Sequence, residues 1–325
     1  MLYINHTGAD PYFNMATEEY ILTRMSEDVF MLWVNDNAII VGVNQNTLAE
    51  IDYAYVRTNN IAVVRRLTGG GSVYHDKGNL NYSFAVNKSE YKDTDRKAFQ
   101  KIITGALSNM GITAELSGRN DITIEGKKIS GSAQCEKKGR ILHHGTLLLN
   151  VSLDVLGKAL EPDKEKIESK GIKSVYARVA NINAFLENPL TVRAFINILE
   201  QYMTSNFQMK LYTFTDKDIA HINELADKKY RTWEWNFGYS PKYNIKNAKR
   251  FEYGSIEVNL SVIDGIIKDI KIYGDFFSDK PISGLEAIIR NCRHSHEAIY
   301  EALEDADVGE YISGATARDL LEVMI

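Results

Sequence analysis

The stretch RRLTGGGSVYHDKGN, residues 65–79, decides how the first half of the chain is interpreted. An apolar, β-branched run at residues 61–67 leads into it and another at 80–86 follows, which predicts a glycine loop between two strands. Adjacent glycines lose more backbone entropy on folding than other residues. The absence of side chains must therefore allow a close approach to the main chain that offsets this cost. Bare backbone amides can approach an anion or a flat ring, and two arginines at the entry suit phosphate. The alternative is a tight turn with two surface arginines.

Length and composition limit the class of protein. The chain has 325 residues, 44% hydrophobic and 25% charged, which is typical of a soluble globular protein and sufficient for about two domains. A net charge of −5 argues against nucleic acid as a partner. The N-terminus lacks a leader pattern, no window predicts a membrane span, and Cys135 and Cys292 are too few for a disulfide framework. We therefore expect a cytoplasmic protein with no membrane partner.

Strand and helix patterns mix along the first part of the chain, which predicts an α/β domain with a mixed sheet. Residues 121–134 predict a hairpin that turns at Glu125-Gly126. The other predicted strands are residues 29–34, 38–43, 61–67, 80–86 and 141–151, and the predicted helices are 95–111 and 191–203.

A composition change marks a predicted domain boundary. Residues 235–250 interrupt the pattern with Gly, Pro, Asn and Lys, so we divide the chain into domains at 1–245 and 246–325. Beyond the boundary, alternating apolar residues turn at Asp264-Gly265 and predict a hairpin. Three short helical stretches follow at residues 283–291, 295–304 and 315–324. The pattern of residues 246–325 predicts a small α+β domain.

Two further motifs carry candidate chemistry. In GKKISGSAQ, residues 126–134, Lys128 follows a tight turn and could stabilise charge that develops on a phosphate, although an exposed hairpin lysine is the ordinary interpretation. In GRND, residues 118–121, the tandem Asn-Asp suits a turn, and the Asp could also hold Mg²⁺ beside a nucleotide.

Two other features are more ambiguous. The pair His143-His144 lies in a predicted strand, where neighbours face opposite ways, so we expect one to pack and the other to be solvated rather than to share a metal. The charged run at 161–181 predicts either a solvated loop or a lid over an anionic ligand.

These motifs occur together and in order, and in that combination the chain resembles the lipoate–protein ligase A family over nearly its whole length. The resemblance rests on the glycine stretch, on SGRNDITIEGKKISGSAQ, on HHGTLLLNVSLD, on the charged run and on TWEWNFGYSP. The early DPYFNMATEEY and the late IYGDFFS are also similar to the family.

The resemblance implies a fold and a reaction. The fold is an α/β catalytic domain related to biotin ligases and class II synthetases, followed by a small accessory domain. The reaction has two steps, in which lipoate and ATP with Mg²⁺ form lipoyl-AMP and pyrophosphate, and an acceptor lysine then attacks to form an amide. The implied acceptors are lipoyl domains of 2-oxoacid dehydrogenase E2 subunits or the glycine-cleavage H protein. We expect a monomer.

The resemblance also implies roles for individual residues. Lys128 is the implied catalytic residue, in contact with both the lipoate carboxyl and the α-phosphate. The implied nucleotide site comprises Arg66, Gly71, Ser72, Val73, Tyr74, Asn120, Asp121 and Lys128. The implied lipoate site comprises Gly70, Gly71, His75 and Lys128. Asp121 is the candidate ligand of Mg²⁺, and the implied lid residues are Lys164, Lys173 and Arg178.

Two departures and two alternatives accompany the resemblance. Cys135 stands where some members have an arginine, and Asn81 replaces another small residue, which we expect to be neutral. An octanoyl or lipoyl transferase of the same superfamily would use a cysteine thiolate, yet the segment before the Lys128 hairpin has no cysteine. A non-catalytic lipoyl-domain binder would tolerate loss of Lys128 or the glycine loop, and both are intact.

Overall fold

The computed structural model describes residues 1–90, 96–118, 120–160, 178–237, 245–263 and 265–325. The strands are β1 (Leu2–Asn5), β2 (Val29–Val34), β3 (Ala38–Val41), β4 (Ala62–Arg65), β5 (Val73–His75), β6 (Asn79–Asn87), β7 (Glu115–Ser117), β8 (Asp121–Ile124), β9 (Lys127–Lys137), β10 (Arg140–Leu148), β11 (Lys210–Leu211), β12 (Ile245–Phe251), β13 (Gly254–Ile263) and β14 (Ile266–Gly274). The helices are α1 (Pro11–Thr23), α2 (Thr47–Glu50), α3 (Tyr53–Thr58), α4 (Arg96–Asn109), α5 (Leu153–Ala159), α6 (Val192–Asn206), α7 (Asp216–Leu225), α8 (Trp233–Asn236), α9 (Ile282–Ile289), α10 (His296–Glu304), α11 (Val308–Tyr311) and α12 (Ala317–Met324).

A mixed sheet of eight strands forms the centre of the first domain, in the order β11-β1-β2-β6-β10-β9-β8-β7. β1 runs parallel to β2 and β11, whereas β2, β6, β10, β9, β8 and β7 pair antiparallel. One face packs on α4 and α6 through buried aromatic and aliphatic side chains. The other face is covered by α1, and here the sheet meets the small sheet that carries the glycine loop.

The small sheet has the order β4-β3-β5, with β3 parallel to β4 and antiparallel to β5. Its strands are apolar on both faces because they pack between the main sheet and α3 and α5, where they form a separate buried cluster. The glycine loop joins β4 to β5, so it lies between strands as predicted, but β5 was not predicted and comes before the strand expected at 80–86, which is β6.

The C-terminal domain is separate and has its own core. Its antiparallel sheet β12-β13-β14 packs against α9, α10 and α12. The predicted hairpin and the three predicted helices are confirmed, and the structure adds the short helix α11, which the sequence pattern did not indicate. The division at residues 245 and 246 stays a prediction, since residues 238–244 lie outside the described ranges.

Local signals explain the element ends. Glu125 and Gly126 have φ of 51° and 76°, so the hairpin between β8 and β9 turns where predicted, through the left-handed conformations of a tight turn. Thr191 caps α6 by accepting a hydrogen bond from the Ala194 amide at 3.2 Å. Asp95, the first residue of the helix predicted at 95–111, lies outside the described residues. No helix within the described ranges is long and apolar enough to cross a membrane.

Candidate active site

A cavity of about 290 Å³ lies between the main sheet and the glycine loop. It brings together nearly all of the residues that the sequence singled out for ligand binding. The predicted site residues that line the cavity are Arg66, Gly70, Gly71, Ser72, Val73, Tyr74, His75, Asn120 and Lys128. Asp121 is not in the lining but is ion-paired to Lys128. Most of the remaining wall is apolar, which suits a ligand with a hydrocarbon portion.

Close main-chain approach explains the glycines. A Cβ on Gly42 would lie 2.0 Å from the carbonyl oxygen of Gly70, so the residue that follows β3 touches the loop through backbone alone. Gly70 has φ of +92°, a conformation that favours glycine. A Cβ on Gly71 would meet no atom within 4 Å. Because Gly71 lines the cavity, a bare main chain there faces the space where a ligand would bind.

Arg66 is buried and holds the glycine loop in shape. Its Nη2 donates to the carbonyls of Gly69 and Gly71 at 2.6 and 2.9 Å, and its Nε donates to Thr68 Oγ1 at 3.0 Å. Burial lowers the pKa of the guanidinium to about 10, which still leaves it charged near neutral pH. Arg66 therefore contributes a positive charge directly behind the loop.

Arg65 is a structural residue. Its Nη1 donates to three carbonyls, those of Gly42, Val43 and Gln45, at 2.7–3.0 Å. Its Nη2 and Nε bind Thr47 and the backbone of α8. Since these donors are already used, Arg65 does not serve an external phosphate. The interpretation of two surface arginines at a turn is wrong, because both guanidiniums are buried.

Lys128 extends from β9 at the mouth of the cavity. Its Nζ lies 2.7 Å from Asp121 Oδ1, and its side chain is 37% exposed. A Cβ at Gly131 would lie 3.0 Å from this Nζ, so the glycine two residues before Ala133 leaves the room that the ammonium occupies. A cation with a partner carboxylate in an open cavity can exchange that partner for an anionic ligand.

His75 is neutral inside the cavity wall. Its Nδ1 lies 3.1 Å from Asn35 Nδ2, which donates to it. Burial lowers the pKa of His75 to about 3, with further lowering from the charges of Arg66 and His144. An amide donor at Nδ1 leaves the proton on Nε2, and this atom has no partner among the described residues. His75 therefore offers a ligand an N–H donor.

The structure adds a buried network that the sequence did not indicate. Glu18 on α1 accepts from His144 Nδ1 at 2.8 Å and from Ser83 Oγ at 2.6 Å. Ser83 in turn accepts from the indole of Trp33 at 2.8 Å. His144 Nε2 lies 2.8 Å from Thr68 Oγ1, the hydroxyl that binds Arg66. The network links the far wall of the cavity to the glycine loop.

The two adjacent histidines face opposite ways as predicted, but the expectation that one is solvated is wrong. His144 contacts Glu18 on the cavity side, whereas His143 stacks on Phe99 with centroids 4.9 Å apart on the α4 side. Both are buried because each face of the sheet is covered. No group of three or more His, Cys, Asp or Glu in the described part of the chain could hold a metal ion.

Neither cysteine lines this cavity. Burial raises the pKa of the Cys135 thiol to about 12, with a smaller contribution from the Glu18 carboxylate. Burial also raises the pKa of Cys292 in the C-terminal domain. A thiol of raised pKa is a poor nucleophile. Of the predicted lid residues, Lys164 and Lys173 lie outside the described ranges, and Arg178 is exposed and does not line the cavity.

The C-terminal domain also reaches the cavity. Phe277 lines it, and the Gly70 amide donates to the carbonyl of Phe276 at 3.4 Å. The amide of Gly274 donates to the Asn44 carbonyl at 2.7 Å. The segment IYGDFFS, residues 272–278, therefore contacts the glycine loop directly.

A mixed α/β fold and a largely apolar cavity with a cation and a bare main-chain loop define an enzyme that handles a small apolar ligand beside an anionic one. Residues 10–204 match the family described as "Lipoyl protein ligase A/B catalytic domain", and residues 240–324 match "Bacterial lipoate protein ligase C-terminus". The chain therefore belongs to the lipoate–protein ligase family.

Individual relatives agree with this assignment. The chain is 42% identical to lipoate–protein ligase 1 of Staphylococcus aureus over 98% of both chains. It is 41% identical to lipoate–protein ligase LplJ of Bacillus subtilis over the whole of both chains, 100% of each.

Solved structures agree as well. A lipoate complex of LipL1 from P. falciparum superposes with a TM-score of 0.80, 27% identity and coverage of 99% of this chain and 97% of that one. A bi-partite lipoate–protein ligase of Thermoplasma acidophilum, described with its E2 lipoyl domain, superposes with a TM-score of 0.65 and 29% identity. The match covers 75% of this chain and 98% of that one. A lipoate–protein ligase A bound with ATP superposes with a TM-score of 0.64 and 27% identity, and the match covers 73% of this chain and 98% of that one.

Proposed function

We propose that this chain activates lipoate with ATP and transfers the lipoyl group to a lysine of an acceptor protein. The observation that carries the proposal is the cavity itself, in which Lys128 and the Gly70–Gly71 main chain face one space with apolar walls. Activation requires two anions, a carboxylate and a triphosphate, to meet despite their mutual repulsion. A positive charge at the point of contact lowers that cost.

Lys128 is the proposed catalytic residue. In the first step a carboxylate oxygen of lipoate attacks the α-phosphorus, the bond to the bridging oxygen breaks, and pyrophosphate leaves with that electron pair. Negative charge on the α-phosphate grows in the transition state, and an ammonium within reach of it stabilises this charge. Asp121 holds the Lys128 ammonium at 2.7 Å and keeps it at the cavity mouth until the anions arrive.

The nucleotide and the lipoyl tail occupy different walls in this proposal. Residues Gly71 to Tyr74, with Asn120, form the nucleotide side, because uncovered main chain favours phosphate and a flat base. Arg66, whose Nη2 is used on the loop carbonyls, belongs to this side through the positive charge that it places behind the loop. Lipoate binds along Gly70, Gly71 and His75, with its tail against the apolar wall. The apolar lining residues include Met15, Trp33, Ile40, Leu148, Leu156 and Leu160.

Magnesium fits this site through Asp121. Mg²⁺ is commonly held by one or two carboxylates together with substrate phosphates, and Asp121 lies at the cavity margin beside Lys128. When bound, the ion offsets phosphate charge and aids the departure of pyrophosphate. The charged run at 161–181, with Lys164, Lys173 and Arg178, is proposed to cover the adenylate, because an exposed acyl-adenylate would be hydrolysed.

The acceptors are proposed to be lipoyl domains of E2 subunits or the H protein, whose lysine amine attacks the acyl carbon of the adenylate. The new C–N bond forms, the bond to the phosphate oxygen breaks, AMP leaves and the amine proton passes to solvent. We further propose that the chain acts as a cytoplasmic monomer. A cysteine-based transfer between carrier proteins is disfavoured, since neither thiol lines the cavity.

The test is lipoate-dependent release of pyrophosphate from Mg·ATP, measured for wild type and Lys128→Ala with and without an acceptor lipoyl domain. We expect release by wild type, loss of roughly 10²- to 10³-fold or more in Lys128→Ala, and amide formation only when acceptor is present. Wild type that releases no pyrophosphate but moves acyl groups between carrier proteins would refute the proposal.

A further inference from the structure

The cavity wall contains a polar group that the proposed function does not use. Asn81 lies in β6, is 2% exposed and lines the cavity. Its side-chain Nδ2 has no hydrogen-bond partner within the described ranges. Buried amide groups in proteins are nearly always paired, and an unpaired one is costly. A buried donor that faces a ligand cavity without a protein partner is therefore available to the ligand.

A neighbouring asparagine fixes which end of the Asn81 amide is available. Asn79 Nδ2 donates to Asn81 Oδ1 at 2.9 Å, and both side chains are buried on the same face of β6. The amide oxygen is thus occupied, and the amino group is the end that remains. A donor, rather than an acceptor, is presented to whatever binds beside it.

Sheet register puts this donor across from Lys128. Asn81 pairs with Thr146 on the next strand, β10. Thr146 Oγ1 accepts from the Gly131 amide of β9 at 3.2 Å, and Gly131 is the position whose Cβ would lie 3.0 Å from Lys128 Nζ. Adjacent strands are about 4.8 Å apart, so two strand spacings separate the residues whose side chains enter the same cavity.

The acyl substrate has few groups that could accept this hydrogen bond. Lipoate is a hydrocarbon chain with a disulfide ring, whose sulfurs are weak acceptors, and its strong acceptors are the two carboxyl oxygens. Lys128 approaches the carboxyl from the β9 side. We propose that Asn81 Nδ2 donates a hydrogen bond to the second carboxyl oxygen, the one that becomes the carbonyl of the adenylate. This inference rests on the proposed function and adds a substrate-binding residue to it.

Asn81→Asp is the most specific test. It keeps the size of the side chain and the oxygen that Asn79 binds, and replaces only the free donor with an acceptor. We expect the dissociation constant of lipoate, measured by calorimetry without ATP, to rise roughly 10- to 100-fold, because hydrogen bonds to charged groups are worth that much. The KM for ATP, measured at saturating lipoate, should stay within twofold. A lipoate affinity within twofold of wild type would overturn the proposal.

The pH dependence separates ligand binding from a structural role. A carboxyl introduced beside the substrate carboxylate should have a raised pKa, and its protonated form regains a donor. The defect of Asn81→Asp should therefore shrink as the pH falls from 8 to 6. A defect that does not change with pH would indicate a structural role and overturn the assignment.

Two comparisons keep the test decisive. Asn81→Ala provides a second variant if Asn81→Asp does not fold, with the same expected loss of lipoate affinity. Asn259→Asp makes the same change at a buried strand asparagine of the C-terminal domain and should bind lipoate as wild type does. Wild type without lipoate-dependent pyrophosphate release would refute the proposed function, whereas active wild type matched by Asn81→Asp would refute only the role of Asn81.

Discussion

Gly131→Ala should displace the ammonium of Lys128, the proposed catalytic group, without disturbing the fold. The added Cβ would lie 3.0 Å from Lys128 Nζ and 3.1 Å from Cε. Optimal contacts of this kind are about 3.5–4.0 Å, so the ammonium must move by about 0.5–1 Å. The backbone can accept alanine because Gly131 is not among the glycines with positive φ.

The size of the effect follows from that displacement. A misplacement of about 1 Å at a reacting centre can cost about 100-fold in rate. We therefore expect kcat for adenylation to fall about 10- to 100-fold, less than in Lys128→Ala, because the charge is moved rather than removed. The assay is single-turnover pyrophosphate release at saturating lipoate and Mg·ATP, with thermal unfolding as the check on folding.

Ser130→Ala is the matched control. Ser130 is the neighbour of Gly131 on β9 and faces the opposite side of the strand, so its loss should leave adenylation within twofold of wild type. If Gly131→Ala folds and adenylates lipoate as fast as wild type, then either the position of Lys128 is not critical or the lysine is not catalytic, and the reasoning fails.

Three further predictions concern Arg65, His75 and Cys135. Arg65→Ala should lower the free energy of unfolding by more than about 3 kcal/mol in urea titration, because several buried carbonyls lose their donors; a loss below about 1 kcal/mol would contradict this. His75 has a native pKa of about 3 against an ordinary 6.5, so the unfolded chain binds a proton that the native chain does not, and stability falls as the pH drops below 6.5. The titration of His75 lowers the free energy of unfolding by about 2 kcal/mol between pH 8 and pH 5, and His75→Gln should remove this loss. Wild type and His75→Gln whose free energies of unfolding change in parallel with pH would contradict the prediction. Cys135→Ala should retain ligase activity within twofold, and loss of amide formation in a folded variant would reopen a thiolate mechanism.

The local parts of the site could be predicted from the sequence because they depend on neighbouring residues. The glycine loop lies between two apolar runs, and Lys128 follows a turn whose residues, Glu125 and Gly126, favour left-handed conformations. Such signals act over a few residues, so they do not depend on contacts with distant parts of the chain. The two strands and the hairpin are therefore predicted correctly, whereas the role of Lys128 rests on the family resemblance, because a hairpin lysine taken alone is ordinarily an exposed one.

The rest depended on contacts between distant parts of the chain. The sequence could not show that Arg65 donates to the backbone of α8, 170 residues away, or that His144 meets Glu18, 126 residues away. Burial of His143 and His144 follows from coverage of both sheet faces, which strand alternation alone does not reveal. The sequence predicts no role for Asn81, because its place in the cavity depends on the register of β6 against the distant strand β10.

The most direct test of the central claim is to look for the bound intermediate. Wild type and Lys128→Ala are incubated with lipoate and Mg·ATP without acceptor, passed through a desalting column, and analysed for bound lipoyl-AMP by mass spectrometry. We expect a near-stoichiometric amount of lipoyl-AMP on wild type, none above background on Lys128→Ala, and conversion of the bound lipoyl-AMP to lipoylated protein when an acceptor is added. Wild type that carries no lipoyl-AMP, or Lys128→Ala that carries as much as wild type, would contradict it.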